Sequence, residues 1–299
     1  MRRLLSRLVC LLAPLLVLAP ADGVAGPPGV VASTKPIHSL AAGVMAGIGA
    51  PVLIVDDDAL PYDYALRPAD NRVLDEADVI VWVGSVLERF LVRPLVPLSR
   101  RVTVMSVLEQ RNMQVLRFHG GTRAQSEVDP HVWLDIGNAK HLVDALVETL
   151  SREDPANRKR YAANGLAVID RLNRLDDRIR ASLGAVRHLP YVVYHDAFRY
   201  FERRYDLAPV GAVTLSPVQP PDEIRLLEMR DTIFTLDIRC VFVEPRLDGA
   251  MAQGLVDGID ARLAVLDPFG TAIPPGADHY FVMMERIAAA MSGCLRRAG

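Results

Sequence analysis

Two histidines stand in surroundings suited to metal ligation. His131 lies in EVDPHVWLD between Asp129 and Asp135, with Pro130 restricting its backbone, and His195 ends the apolar run YVVYH just before Asp196. A metal-bound imidazole usually donates its other N–H to a carboxylate or a carbonyl, and an aspartate beside each histidine suits that part. A lone loop histidine is more commonly just solvated or hydrogen-bonded. Pairing His131 with His195, which has Asp196 beside it, narrows the margin between that bland reading and a metal centre. Further acids close apolar runs elsewhere: Asp56 to Asp58 after PVLIV, Glu244 after CVFV and Asp267 after RLAVL. In open parallel sheets, ligands bind beyond such carboxyl ends.

The other five histidines carry less. His141 falls in a helical pattern and His188 shortly before Pro190, so both read as structural, and His279 near the start of the last helix reads as surface. His38 opens a helix in TKPIHSL and reads as packing, with a cleft position as the alternative, while His119 in FHGG sits on a glycine loop that could reach a ligand.

Other chemistries lack their motifs. The chain has no GxSxG elbow, no GxxxxGK[ST] loop and no GxGxxG after its first strand-like run. A net charge of −2 without a basic stripe argues against a nucleic-acid partner, and 6% aromatic residues argue against a stacking platform for bases or sugars. Two histidines and a carboxylate could also describe an iron or hydrolytic zinc enzyme. Nothing supplies a separate general base, so a non-enzyme is expected.

The opening MRRLLSRLVCLLAPLLVLAPADGVAG has Arg2, Arg3 and Arg7, then an apolar stretch, then small residues at Ala21 and Ala25. This reads as a secretory signal peptide over residues 1–25, with an uncleaved anchor as the alternative. Cys10 follows Val9 inside the apolar stretch, which argues against a lipid-anchored cysteine. Removing the leader leaves Cys240 and Cys294. An even pair in an exported chain reads as one disulfide, with two buried thiols as the alternative, and the absence of CxxC spacing argues against a metal role.

The elements that must position these groups follow from short apolar runs alternating with amphipathic segments. VVAST, PVLIVDD, DVIVWVG and RVTVMSV precede residue 110, and YVVYHD, VGAVTL, RCVFVEP and RLAVLDP follow residue 190. Such alternation implies α/β lobes with mostly parallel sheets covered on both faces. Between the sets, DPANRKRYAANGLAVIDRLNRLDDRIRASL reads as one long helix with Tyr161, Leu166, Ile169, Leu172, Leu175, Ile179 and Leu183 on its apolar face. The expected division is an N-terminal α/β lobe at 26–154, a rigid linking helix at 155–187 and a C-terminal α/β lobe at 188–299, with the ligand in the interlobe cleft.

ASTKPIHSLAAGVMAG, LPYDYALRPAD, ADVIVWVG, VDPHVWLD, YHDAFRYFERRY, CVFVEP and LDPFG occur here in an order that resembles the ZnuA/TroA-like solute-binding proteins, the periplasmic metal receptors of zinc or manganese ABC importers. The resemblance covers essentially the whole chain after the leader. It implies two α/β lobes bridged by a long helix, a soluble periplasmic monomer, and an ABC permease with its ATPase as partners. It also implies His131, His195 and Asp267 as metal ligands. Histidine at position 195 resembles the zinc-type members, as does the Cys240–Cys294 pair, so zinc is expected ahead of manganese. A metallochaperone or adhesin of the same fold is the alternative use.

The chain departs from that family in one ligand. The pattern resembling PHDYxLRPxD places a histidine where this sequence has Tyr62, and the long His-rich loop of many zinc-type members is reduced to FHGGTRAQSEV. Three readings stay open. Zinc is held by the remaining ligands, with water, Asp63 or His119 completing the set; or Tyr62 ligates a harder metal; or the site takes a chelate or organic solute.

Overall fold

A computed structural model describes residues 26–56, 59–118, 128–215, 221–246 and 249–298. The expected leader, Asp57 and Asp58, and the loop bearing His119 therefore lie outside the described residues. The first lobe contains β1 (Val30–Ala32), α1 (Lys35–Val44), β2 (Val52–Leu53), α2 (Pro68–Asp75), β3 (Val79–Trp82), α3 (Arg89–Leu98) and β4 (Thr103–Ser106). Then come α4 (Ile136–Glu153) and α5 (Arg158–Leu183). The second lobe contains β5 (Tyr191–His195), α6 (Arg199–Tyr205), β6 (Pro209–Thr214), α7 (Glu223–Thr235), β7 (Cys240–Val243), α8 (Gly249–Val256) and β8 (Arg262–Val265), and α9 (His279–Ala298) closes the chain.

Each lobe is a four-stranded sheet, ordered β2-β1-β3-β4 and β6-β5-β7-β8. Within both sheets the strand pairings among the described residues are parallel. Central strands in such sheets have helices on both faces, which is why β1 and β5 are buried along their whole length and read as unbroken apolar runs. The edge strand β2 is only two residues long and partly exposed, shorter than its apolar run suggests.

The long helix forms as expected, but its buried face differs. Asp154 caps a 3-10 turn over Pro155–Asn157, and α5 follows for 26 residues. Its buried residues are Tyr161, Gly165, Val168, Leu172, Leu175, Ile179 and Leu183. Leu166, expected on that face, is 70% exposed. The true stripe steps by four and three residues, the spacing of one helical face, and it runs through a glycine. Glycine is there because α4 comes close: a Cβ on Gly165 would lie 2.5 Å from Val147 Cγ2. Gly43 on α1 similarly admits Val168 Cγ2, which would stand 2.7 Å from an added Cβ.

One cluster of buried apolar residues runs through both lobes by way of α4, α5 and α9. The last helix packs on α1 and α5 as well as on β7 and β8. Its Cys294 is joined to Cys240 of β7, so the expected disulfide is present and ties α9 to the second sheet. Among the described residues no helix is long and apolar enough to cross a membrane.

Candidate metal centre

The two sheets share a topology, yet different residues fill their switch points. The strand order reverses between β1 and β3 and between β5 and β7, where a crevice opens beyond the strand ends. In the first lobe Glu88 fills that place. Its Oε1 accepts from Ser33 Oγ at 2.5 Å and from the Val83 amide at 3.0 Å, and its Oε2 accepts from the Gly84 amide at 2.8 Å. Burial pushes the Glu88 carboxyl up to about 7, against the pull of these three donors. In the second lobe His195 ends β5, Glu244 follows β7, and His195 Nδ1 meets Glu244 Oε1 at 2.5 Å.

The first lobe therefore contributes through loops. His131 caps a 3-10 turn over Val132–Leu134 and is fully buried. Asp129 Oδ1 accepts both the His131 main-chain N–H at 2.9 Å and Nδ1 at 2.6 Å. Tyr200, from the second lobe, anchors this loop by donating its hydroxyl to the Asp129 carbonyl at 2.8 Å. Each imidazole is thus oriented by a carboxylate on Nδ1, which turns Nε2 to the far side of the ring.

Which carboxylate serves which histidine is partly unexpected. Asp135 does not serve His131: it caps α4 through the Gly137 amide at 2.5 Å and pairs with Arg204 at 2.6 Å. His195 uses Glu244 from the neighbouring strand, not Asp196, because successive residues leave an extended strand on opposite sides.

Tyr62 completes the constellation. Its hydroxyl lies 2.5 Å from His131 Nε2. Its ring meets His195 edge-on at 5.8 Å and Phe269 at 5.6 Å between centroids. The two imidazoles are 5.3 Å apart, centroid to centroid, and Trp133 packs against both His131 and Phe269. Burial, reinforced by the Glu244 and Asp129 carboxylates, raises the Tyr62 phenol well above its usual range. Burial, with the neighbouring His195, pushes His131 down to about 3, so its imidazole is neutral. Burial is the largest influence on His195 and acts to lower it, but the Glu244 carboxylate, joined by Asp129 and Asp196, more than offsets it and the net shift is upward.

Asp267 sits beside this group in a crevice with Leu60, Glu244, Arg246 and Thr271. Its carboxylate accepts from the amides of Phe269 at 3.1 Å and Thr271 at 2.6 Å, and from the Thr271 hydroxyl at 2.7 Å. The turn it shapes is gripped from both lobes. Trp133 Nε1 donates to the Pro268 carbonyl at 2.8 Å, Lys35 Nζ to the Thr271 carbonyl at 2.8 Å, and His279 Nε2 faces the Phe269 carbonyl at 2.9 Å. His279 is therefore no surface residue but 1% exposed, with Nδ1 also facing the Ile273 carbonyl at 3.2 Å. Among the described residues, no three His, Cys, Asp or Glu side chains gather as a metal cage. The Tyr62 ring touches both imidazoles and Phe269, and His131 also faces Phe269 directly at 6.4 Å between centroids.

The remaining candidates lie elsewhere. His38 is buried with Nε2 on the Pro51 carbonyl at 3.0 Å, a packing role. Asp63 is exposed, as is His188. Lys35, Glu88 and the grip of Trp133 on Pro268 were not legible beforehand, although Trp133 and Phe269 stand inside VDPHVWLD and LDPFG. Side-chain contacts over 135 and 236 residues leave no local trace.

Comparisons with known proteins identify the fold and the family. The family model of the zinc-uptake complex component A periplasmic, ZnuA, matches residues 30–294. The high-affinity zinc uptake system protein ZnuA of Brucella abortus strain 2308 is 32% identical over 305 residues, covering 89% of this chain and 91% of that one. Its namesake from Paracoccus denitrificans is 31% identical over 317 residues, covering 94% and 97%. Among solved structures, a crystal structure of ZnuA superposes with a TM-score of 0.78 at 20% identity, covering 89% of this chain and 98% of that one. The solute-binding protein FpvC of Pseudomonas aeruginosa, in complex with Mn2+, gives 0.81 at 20% identity, covering 91% and 100%. These two likenesses establish the shared fold. With the family model spanning both lobes and the long helix, the chain belongs to the ZnuA family of periplasmic zinc-uptake components.

Proposed function

We propose that this protein captures a divalent metal ion, zinc foremost, between its lobes and delivers it to the permease and ATPase of an ABC importer. The observation that carries this reading is the pair of buried imidazoles, His131 and His195, each held by a carboxylate on Nδ1. An imidazole so held is orientated and made more basic at the nitrogen that meets the metal. Nitrogen donors suit zinc better than manganese, and the zinc-uptake names of the relatives support the same choice. Asp267, on its clamped turn, is the third ligand in this reading. The leader directs the protein to the periplasm, where it works as a monomer, receiving and handing on an ion and catalysing nothing.

The test is calorimetric titration of the metal-stripped protein with zinc and then manganese in a non-chelating buffer. One-to-one zinc binding tighter than manganese binding is expected. His131→Ala and His195→Ala each abolish tight binding, while His188→Ala leaves it unchanged. Equal effects from all three substitutions would overturn the site assignment.

A further inference from the structure

We propose that Tyr62 is a displaceable internal occupant of the metal site: its hydroxyl holds the metal-facing nitrogen of His131, and an arriving ion must take that nitrogen from it. This rests on the reading of His131 and His195 as ligands and concerns how ready their site is. Asp129 Oδ1 accepts the His131 main-chain N–H and Nδ1 together, so Nδ1 carries the ring proton. Nε2 then bears the lone pair, and the Tyr62 hydroxyl, 2.5 Å away, donates to it. That lone pair is the one a metal would use. Hydroxyl and metal exclude each other at this atom, and a phenol that donates its proton there is not presenting a ligand oxygen.

The ring stands on a loop whose exposed residues alternate with less exposed ones. Tyr62 is only partly buried, and Asp63, Ala65 and Arg67 after it are exposed. Fixed posts stand on either side. Pro61 is buried, while Tyr64 donates to Asp70 at 2.8 Å and packs against Phe90. Exchange therefore needs rotation of one side chain between two anchors. Removing an ordinary ligand weakens a site, whereas removing a competitor strengthens it, and that difference in sign is the test.

The experiment is a zinc titration of the metal-stripped protein in competition with a chromophoric chelator, with the association rate followed by stopped flow. Tyr62→Phe keeps the ring contacts with His195 and Phe269 and deletes only the hydroxyl. Relieving one hydrogen bond of ordinary net strength is expected to tighten zinc binding roughly three- to tenfold and to speed association. Unchanged or weaker binding by Tyr62→Phe overturns the proposal, and weaker binding identifies the phenol as a ligand. His131→Ala separates the two levels. If it binds zinc as the parent does, the ligand reading itself falls. If it abolishes binding while Tyr62→Phe weakens binding, the ligand reading stands and only the internal occupant is lost.

Discussion

Replacing Glu244 by glutamine isolates what the carboxylate does for His195. The substitution keeps the shape of the side chain and an oxygen for Nδ1, but removes the charge from a pair with side chains only 1% and 5% exposed. Partners of this kind are worth about 10- to 100-fold in metal affinity, about 1.4 to 2.7 kcal/mol. The burial of the pair places the expected loss towards the upper end, because little water screens the interaction.

The pH dependence supplies the sharper signature. His195 is raised above its usual value in the parent because Glu244, joined by Asp129 and Asp196, more than offsets burial. Zinc must displace a proton wherever the pH lies below that raised value, so parental affinity falls early on acidification. Without the Glu244 carboxylate the largest raising influence on His195 is gone, so the imidazole stays neutral to lower pH than in the parent. The gap between parent and Glu244→Gln should therefore be widest near about pH 8 and narrow towards about pH 6. Competition titrations across that range measure it. Equal affinity at the alkaline end, or a gap that widens on acidification, would refute the reasoning.

Two further outcomes concern the frame. Reducing Cys240–Cys294, or replacing both with serine, releases a loop of 54 residues and should cost about 4 kcal/mol on the chain-entropy account, read as a lowered urea midpoint. An undiminished midpoint would show that α9 is held by packing alone. Gly165→Ala brings a methyl 2.5 Å from Val147 Cγ2, and valine on a helix has little rotamer freedom to yield. A loss of about 1 to 2 kcal/mol is expected after the gain in helix propensity, and a more stable variant would show that α4 and α5 can separate without cost.

The alternation of apolar runs and amphipathic segments sufficed for the two parallel sheets and the long helix, because buried parallel strands admit no polar face. The cysteine pair and the two histidines were also legible, since their types are uncommon and chemically narrow. What the periodicity mislaid was local. Leu166 looks like a core residue and Gly165 does not, yet the closeness of α4 reverses them. His279 looks like the polar start of a helix until the carbonyls of Phe269 and Ile273 close around it.

By itself, then, the sequence determined the layers, the order of the elements and the residue types available for chemistry, all of which depend on neighbours within a few positions. Only the tertiary structure decided that Glu88 seals one switch point while His195 and Glu244 occupy the other. It alone decided that Asp129 serves His131 while Asp135 does not, and that Tyr62 reaches His131 Nε2 across 69 residues. The physical reason is that hydrogen bonds are made over about 3 Å in space, whatever the distance along the chain, and buried polar groups take the partners that the packed fold brings to them.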